Sequence, residues 1–132
     1  YYEGQGVPQD YTEAVKWWKM AEYGNVDARY HLGMMYEKGL GVTVDYREAE
    51  RLYIEAAKRR HSSALFRLGE MYVQGLGILQ DKNIQALKWY MISMSREDIR
   101  AQEKTMLLQK LLTPDQNTKA WKLAVEWMKK YW

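Results

Sequence analysis

Apolar and polar positions along the chain alternate with a helical period. Between Asp27 and Lys38 the apolar residues Ala28, Leu32, Met35 and Tyr36 stand three, four and seven apart, with Gly33 among them. That spacing defines one face of a helix, and a glycine on it lets a neighbouring helix come close. Ala64, Leu68, Gly69, Met71 and Tyr72 repeat the face one for one. A second kind of helix follows each copy. It carries Ala49, Leu52, Tyr53 and Ala56 after Asp45, and Ala86, Trp89, Tyr90 and Ser93 after Asp81. Ala14, Trp17, Trp18 and Ala21 after Asp10 make an earlier version. Small residues alternate with large ones, as a close helix–helix contact requires. The pattern predicts helices over 10–23, 27–38, 45–59, 62–74 and 82–94.

Glycines punctuate the same period. Gly39-Leu40-Gly41 recurs as Gly75-Leu76-Gly77, and Gly4-Gln5-Gly6 opens the chain. Gly4 to Gly39 is a step of 35 residues and Gly39 to Gly75 a step of 36. A fixed period in the range of about 20–50 residues signals a repeat array. Glycine tolerates the positive φ of a sharp turn between helices. A phosphate-binding loop would need a preceding strand and a third glycine, and neither is present. Asp10, Asp45 and Asp81 open the second helix of each unit. Glu13 and Glu48 follow the first two at capping-box spacing, whereas Ile84 breaks the box in the third. Gly24 ends the first of these helices, and Arg60 stands where the next such stop would fall.

The period breaks after Ser95. From Arg96 to Leu112 there is no Leu-Gly pair and no Gly-x-Gly turn, but Ala101, Leu107, Leu108, Leu111 and Leu112 keep helical spacing. Thr113-Pro114 starts a last helix, with Thr as N-cap and Pro at the first helical position. Ala120, Ala124, Trp127, Met128 and Tyr131 form its stripe. A repeat array needs a terminal element with a polar outer face, and the charged content of 96–132 fits one. The expected organisation is a half copy at 1–27, copies at 28–63 and 64–95, and closing helices at 96–132.

Composition narrows the chemistry. The 132 residues amount to one domain by size. Tyr and Trp are abundant, at 11 and 6, against a single Phe; repeats reuse aromatic packing positions. A net charge of +3 is mildly basic, and the cations are interleaved with Asp and Glu, unlike the concentrated basic face that nucleic acid requires. The one tight basic run, Lys58-Arg59-Arg60-His61, falls at a predicted helix C-terminus, where cations complement the helix dipole. Without cysteine there is neither a disulfide framework nor a thiol nucleophile. No apolar run approaches the roughly 20 residues of a membrane span. His31 and His61 lie outside any His-Glu-x-x-His spacing, no Gly-x-Ser-x-Gly elbow occurs, and Glu48 and Glu50 point to different helix faces. Neither a catalytic set, nor a metal site, nor a cofactor is expected.

The pattern Ala-x3-Leu-Gly-x2-Tyr-x2-Gly-x-Gly-Val, then Asp, then Ala-x2-Trp/Leu-Tyr, resembles the Sel-1-like repeat, a relative of the tetratricopeptide repeat. It covers about residues 1–94, with Val7, Val42 and Ile78 after the second glycine and Pro8-Gln9-Asp10-Tyr11 as a common form of the turn. The resemblance implies an all-α, right-handed solenoid superhelix of helix-turn-helix repeats with a C-terminal capping helix pair. It also implies a non-enzymatic scaffold or adaptor that binds a protein or peptide on its concave face. By similarity to tetratricopeptide arrays, the first helix of each pair lines that face. Counted from the Leu-Gly landmark, the candidate binding residues are Tyr30, Met34, Glu37 and Lys38, then Phe66, Glu70, Val73 and Gln74. Tyr30 and Phe66, at equivalent positions, would make an aromatic column. The stretch from Thr113 to Trp127 resembles the closing segment of bacterial members, which implies a bacterial source and a true C-terminus. Tyr1 falls mid-repeat, like the edge of a fragment, so no compartment is read. Two alternatives follow from the resemblance: a capping fragment whose recognition surface lies upstream, and a hydrolase acting on peptidoglycan or β-lactams, as linked to cysteine-rich relatives.

Overall fold

The computed structural model describes residues 8–21, 24–75 and 81–132, with side chains from residue 11 onward. The described residues form helices and turns without a strand. They divide into two compact units, Tyr1–Arg59 and Arg60–Trp132. The first contains α1 (Pro8–Ala21), α2 (Val26–Lys38) and α3 (Tyr46–Lys58). The second contains α4 (Ser62–Gln74), α5 (Lys82–Met94), α6 (Ile99–Leu111) and α7 (Pro114–Tyr131). Apart from α1, which begins two residues before the predicted start, the helices fall within a residue of expectation at their repeat positions.

Each unit is built on one helix pair, α2 with α3 and α4 with α5. The glycine on the first helix decides how close the second comes. A Cβ on Gly33 would lie 2.7 Å from the Tyr53 ring, and one on Gly69 would lie 2.5 Å from the Tyr90 ring. Both tyrosines are fully buried, so neither ring has room to retreat. Val15, Leu32, Met35 and Leu52 form the core of the first unit, with Tyr11, Trp18 and Tyr36 packed at its edge. In the second unit α5 is the central element, packed by α4, α6 and α7. It buries Ile84, Ala86, Leu87, Trp89, Tyr90 and Ile92.

The turns show why glycine is needed where it is. Gly39 and Gly75 cap α2 and α4 at φ 70 and 75, the left-handed region. Gly41 also has a positive φ, and a Cβ there would meet the Tyr11 carbonyl. Gly4, Gly6 and Gly77 lie outside the described residues. Arg60 adopts φ 64, so the expected stop without glycine still takes the left-handed conformation.

Capping follows expectation only in part. The Asp45 carboxylate accepts from the Glu48 amide at 3.1 Å. Glu48 does not complete the box, because its carboxylate pairs with Arg51 at 2.7 Å. Asp81 is not the cap predicted for it. Its own backbone is left-handed (φ 52), it makes no side-chain cap bond, and its carboxylate lies 3.7 Å from Lys119. Asp10 sits inside α1, and its side chain is outside the described residues. Thr113 and Gln116 close a complete box at the start of α7, with bonds of 3.1 and 3.0 Å. Asn25 and His61, which the helical pattern did not single out, cap α2 and α4 through side-chain acceptors.

One packing expectation is corrected. Trp17 is 68 % exposed, although its counterparts Leu52 and Trp89 are buried; α1 packs chiefly on α2, and it buries Val15 rather than Trp17. Leu107 and Leu111 keep the helical period but point outward, because α6 buries Ala101, Thr105 and Leu108 instead.

Gly33→Ala and Gly69→Ala are each expected to cost about 1–3 kcal/mol by overpacking against a ring that cannot move. Gly24→Ala, with open space around its Cβ position, should stay within about 0.5 kcal/mol. Urea unfolding of the three variants checks this. By the same measurement Asp45→Ala should lose about 1 kcal/mol with its cap, and Asp81→Ala clearly less.

Candidate partner-binding faces

The candidate binding residues lie on α2 and α4, and each unit places its own four. On α2, Tyr30 is half-buried. Its ring stands 5.8 Å from Tyr53 and 5.5 Å from His31. Met34 is half-buried and Lys38 exposed. Glu37 is buried, and its carboxylate accepts the Tyr53 hydroxyl at 2.7 Å. On α4, Phe66 is buried. Its ring stands 5.6 Å from Tyr90 and is covered by the Arg100 guanidinium at 4.3 Å. Glu70 accepts the Tyr90 hydroxyl in a short hydrogen bond and has the Lys104 ammonium 3.9 Å away. Val73 and Gln74 are exposed.

The two units thus share a motif that the spacing did not reveal. In each, a tyrosine ring sits on the glycine of the preceding helix, an aromatic from that helix stands beside it, and a glutamate accepts its hydroxyl. The glutamate comes from different places. Glu37 stands four residues after Gly33, whereas Glu70 stands one residue after Gly69. Those offsets are three residues apart, one helical turn on the same face, so the hydroxyl reaches a carboxylate from either. The exchange leaves Met34 where the second unit has Glu70, and Val73 where the first has Glu37. Two acidic positions read as surface are therefore tied into packing. A recurring tyrosine with a glutamate on the facing helix was the available signal.

The electrostatics follow from burial. Burial first, then the bond to Glu70 and its charge, push the Tyr90 phenol far above its ordinary value, against a small opposing effect of Arg67. Elsewhere several cations are paired with carboxylates close in the chain. Arg51 meets Glu48, Lys58 meets Glu55 at 3.0 Å, and Arg100 meets Asp98 at 2.8 Å. The Arg100 side chain holds the Asp98 carboxyl below the usual range, although burial opposes the shift. His31 stacks on Trp18 at 4.6 Å, and His61 is spent as a helix cap, its Nδ1 accepting from the Ala64 amide. Among the described residues no group of three His, Asp or Glu side chains converges as metal ligands. No described helix is long and apolar enough to cross a membrane.

Comparison with known proteins agrees with this geometry. The Sel1 repeat family model matches residues 1–25, 26–61 and 62–90. Protein sel-1 homolog 2 of Homo sapiens is 42 % identical over 60 residues, which are 44 % of this chain and 9 % of that protein. DAP3-binding cell death enhancer 1 of Rattus norvegicus is 45 % identical over 49 residues, 36 % of this chain and 10 % of that one. The chain spans about a tenth of the length of these curated relatives. Among solved structures, a protective antigen present in uropathogenic Escherichia coli strains and displaying an SLR fold superposes with a TM-score of 0.85 at 30 % identity. That match covers 96 % of this chain and 27 % of the antigen. The fold is an all-α solenoid of helical repeats.

Tyr90→Phe should cost about 1–2 kcal/mol at neutral pH through the lost hydroxyl–carboxylate bond. The folded chain keeps the Tyr90 proton where the unfolded chain gives it up, above the ordinary value of 10.0. The stability from that proton is therefore present below pH 10 and lost as pH rises beyond it, by up to about 1.4 kcal/mol per unit. The wild-type advantage over Tyr90→Phe should shrink accordingly in urea melts run between pH 8 and 11.

Proposed function

The chain belongs to the Sel1 repeat family, whose members are protein-interaction modules, and from that premise we propose that it is a scaffold that holds a protein or peptide partner on the exposed positions of its first-of-pair helices. One observation carries the reading. The residues that pack α2 and α4 are the same in both copies: Ala28 with Ala64, Leu32 with Leu68, Gly33 with Gly69 and Met35 with Met71, all buried. The positions between them differ: Met34 against Glu70, Glu37 against Val73, and Lys38 against Gln74. Helix packing requires the first set; of the second, Glu37 and Glu70 are held by Tyr53 and Tyr90, and Met34, Lys38, Val73 and Gln74 are left to follow a partner. Tyr30, Met34 and Lys38 are then the contact residues of the first unit, and Val73 and Gln74 those of the second. Glu37, Phe66 and Glu70 support them from beneath. The rat relative, named for binding DAP3, lends support to a protein as the ligand. Cations interleaved with Asp and Glu along the chain favour protein over nucleic acid. In this reading residues 1–95 carry the repeats and 96–132 close the array, and the mechanism is presentation of a surface without bond making.

A displayed peptide library panned against the full chain tests the assignment. Enriched peptides should lose at least tenfold in affinity, about 1.4 kcal/mol, with Met34→Asp or Val73→Asp. They should be unaffected by Lys129→Ala on α7, with circular dichroism unchanged throughout. Peptides that bind all three variants alike would place recognition elsewhere. Turnover of a chromogenic β-lactam by the purified chain would overturn the non-enzymatic reading.

A further inference from the structure

α6 is turned inside out relative to α4 and α5, which bury their large apolar residues. Its buried face is Ala101, Thr105 and Leu108. Its larger hydrophobic residues face solvent: Ile99 is 79 % exposed, Met106 55 %, Leu107 57 % and Leu111 71 %. At 100° per residue these four span an arc opposite the buried face. Together they leave four large side chains more than half exposed on one side of the helix. Single exposed hydrophobics need no explanation, but four on one side of one helix, with the stems of Glu103 and Lys110 between them, mark an interaction surface.

Charge selects the occupant. Two charged residues, Glu103 and Lys110, stand along the middle of the stripe. They are opposite in sign, and neither has an ion-pair partner among the described residues. They are also equidistant from the midpoint between Met106 and Leu107. The cations at the edge are already matched within the unit, Arg100 by Asp98 at 2.8 Å and Lys104 by Glu70 at 3.9 Å. The face is therefore nearly neutral and does not select a partner of strong single-sign charge.

We propose that this face binds a second copy of the chain, as an antiparallel α6–α6 pair about a two-fold axis passing between Met106 and Leu107. That axis sets Glu103 opposite Lys110 of the partner subunit, and Lys110 opposite Glu103 of the partner subunit. A two-fold interface must be self-complementary in this way. Met106 and Leu107 meet their own copies beside the axis, and the stems of Glu103 and Lys110 extend the apolar contact toward the roughly 800 Å² per partner of a stable interface. The inference is independent of the partner-binding faces on α2 and α4.

Sedimentation equilibrium of the full chain between about 1 and 100 µM tests it, since dimer formation doubles the 15.7 kDa monomer mass. We expect a reversible monomer–dimer equilibrium within that range. Leu107→Glu, at a site that is already solvent-exposed, should weaken it at least tenfold with an unchanged helical spectrum. Glu103→Lys should weaken it about threefold or more by setting like charges opposite each other. The double variant Glu103→Lys/Lys110→Glu should recover most of the loss. A monomer throughout the range overturns the proposal. So does a dimer indifferent to Leu107→Glu, or a charge swap that the second substitution fails to rescue.

Discussion

The contact on which each unit depends is a tyrosine ring laid directly on a glycine of the preceding helix. Gly33 under Tyr53 and Gly69 under Tyr90 leave no space for even a methyl group. Helix pairs usually keep 8–10 Å between axes because side chains fill the contact. Here one partner supplies no side chain, and the other supplies a flat ring that needs none. The buried leucines, methionines and alanines on either side can exchange bulk without changing the principle of the contact. The glycine cannot, since any Cβ displaces the ring and with it the hydroxyl at its far end.

That hydroxyl explains a feature of the variation between copies. A buried phenol needs an acceptor, and leaving it without one costs more than a typical hydrogen bond contributes. Glu37 and Glu70 answer the same need from adjacent turns. Once the acceptor moves by one turn, the position it vacates is released: Val73 is exposed where Glu37 was buried. Surface composition is thereby coupled to an internal requirement. Part of the difference between the two candidate faces arises from packing and not from a partner.

The helical period and the glycine spacing made the helix pairs, their turns and the close approach at Gly33 legible in the sequence, because each rests on local geometry. What was not legible depends on residues distant in the chain. Phe66 is covered by Arg100, 34 positions later, and no local pattern connects them. Asp81 has the residue type and position of a cap, but its own left-handed backbone decides otherwise. Trp17 has the position of a core residue, and its exposure follows from what lies against α1. The periodicity of Leu107 and Leu111 was right about the helix and silent about which side of it faces inward.

That silence has a physical source. A helix with apolar residues on two sides satisfies the hydrophobic period in either orientation, so something else must choose. In the second unit the choice falls to size. α5 already carries Trp89 and Tyr90 into its contacts with α4 and α7, and Trp89 meets Trp127 edge-on at 5.2 Å. The side of α5 left for α6 accepts a close approach, which Ala101 and Thr105 allow and a face of Met106, Leu107 and Leu111 would not. The small face therefore turns inward. The large face is left outside by the geometry of packing, where it remains available to a surface of matching shape and charge.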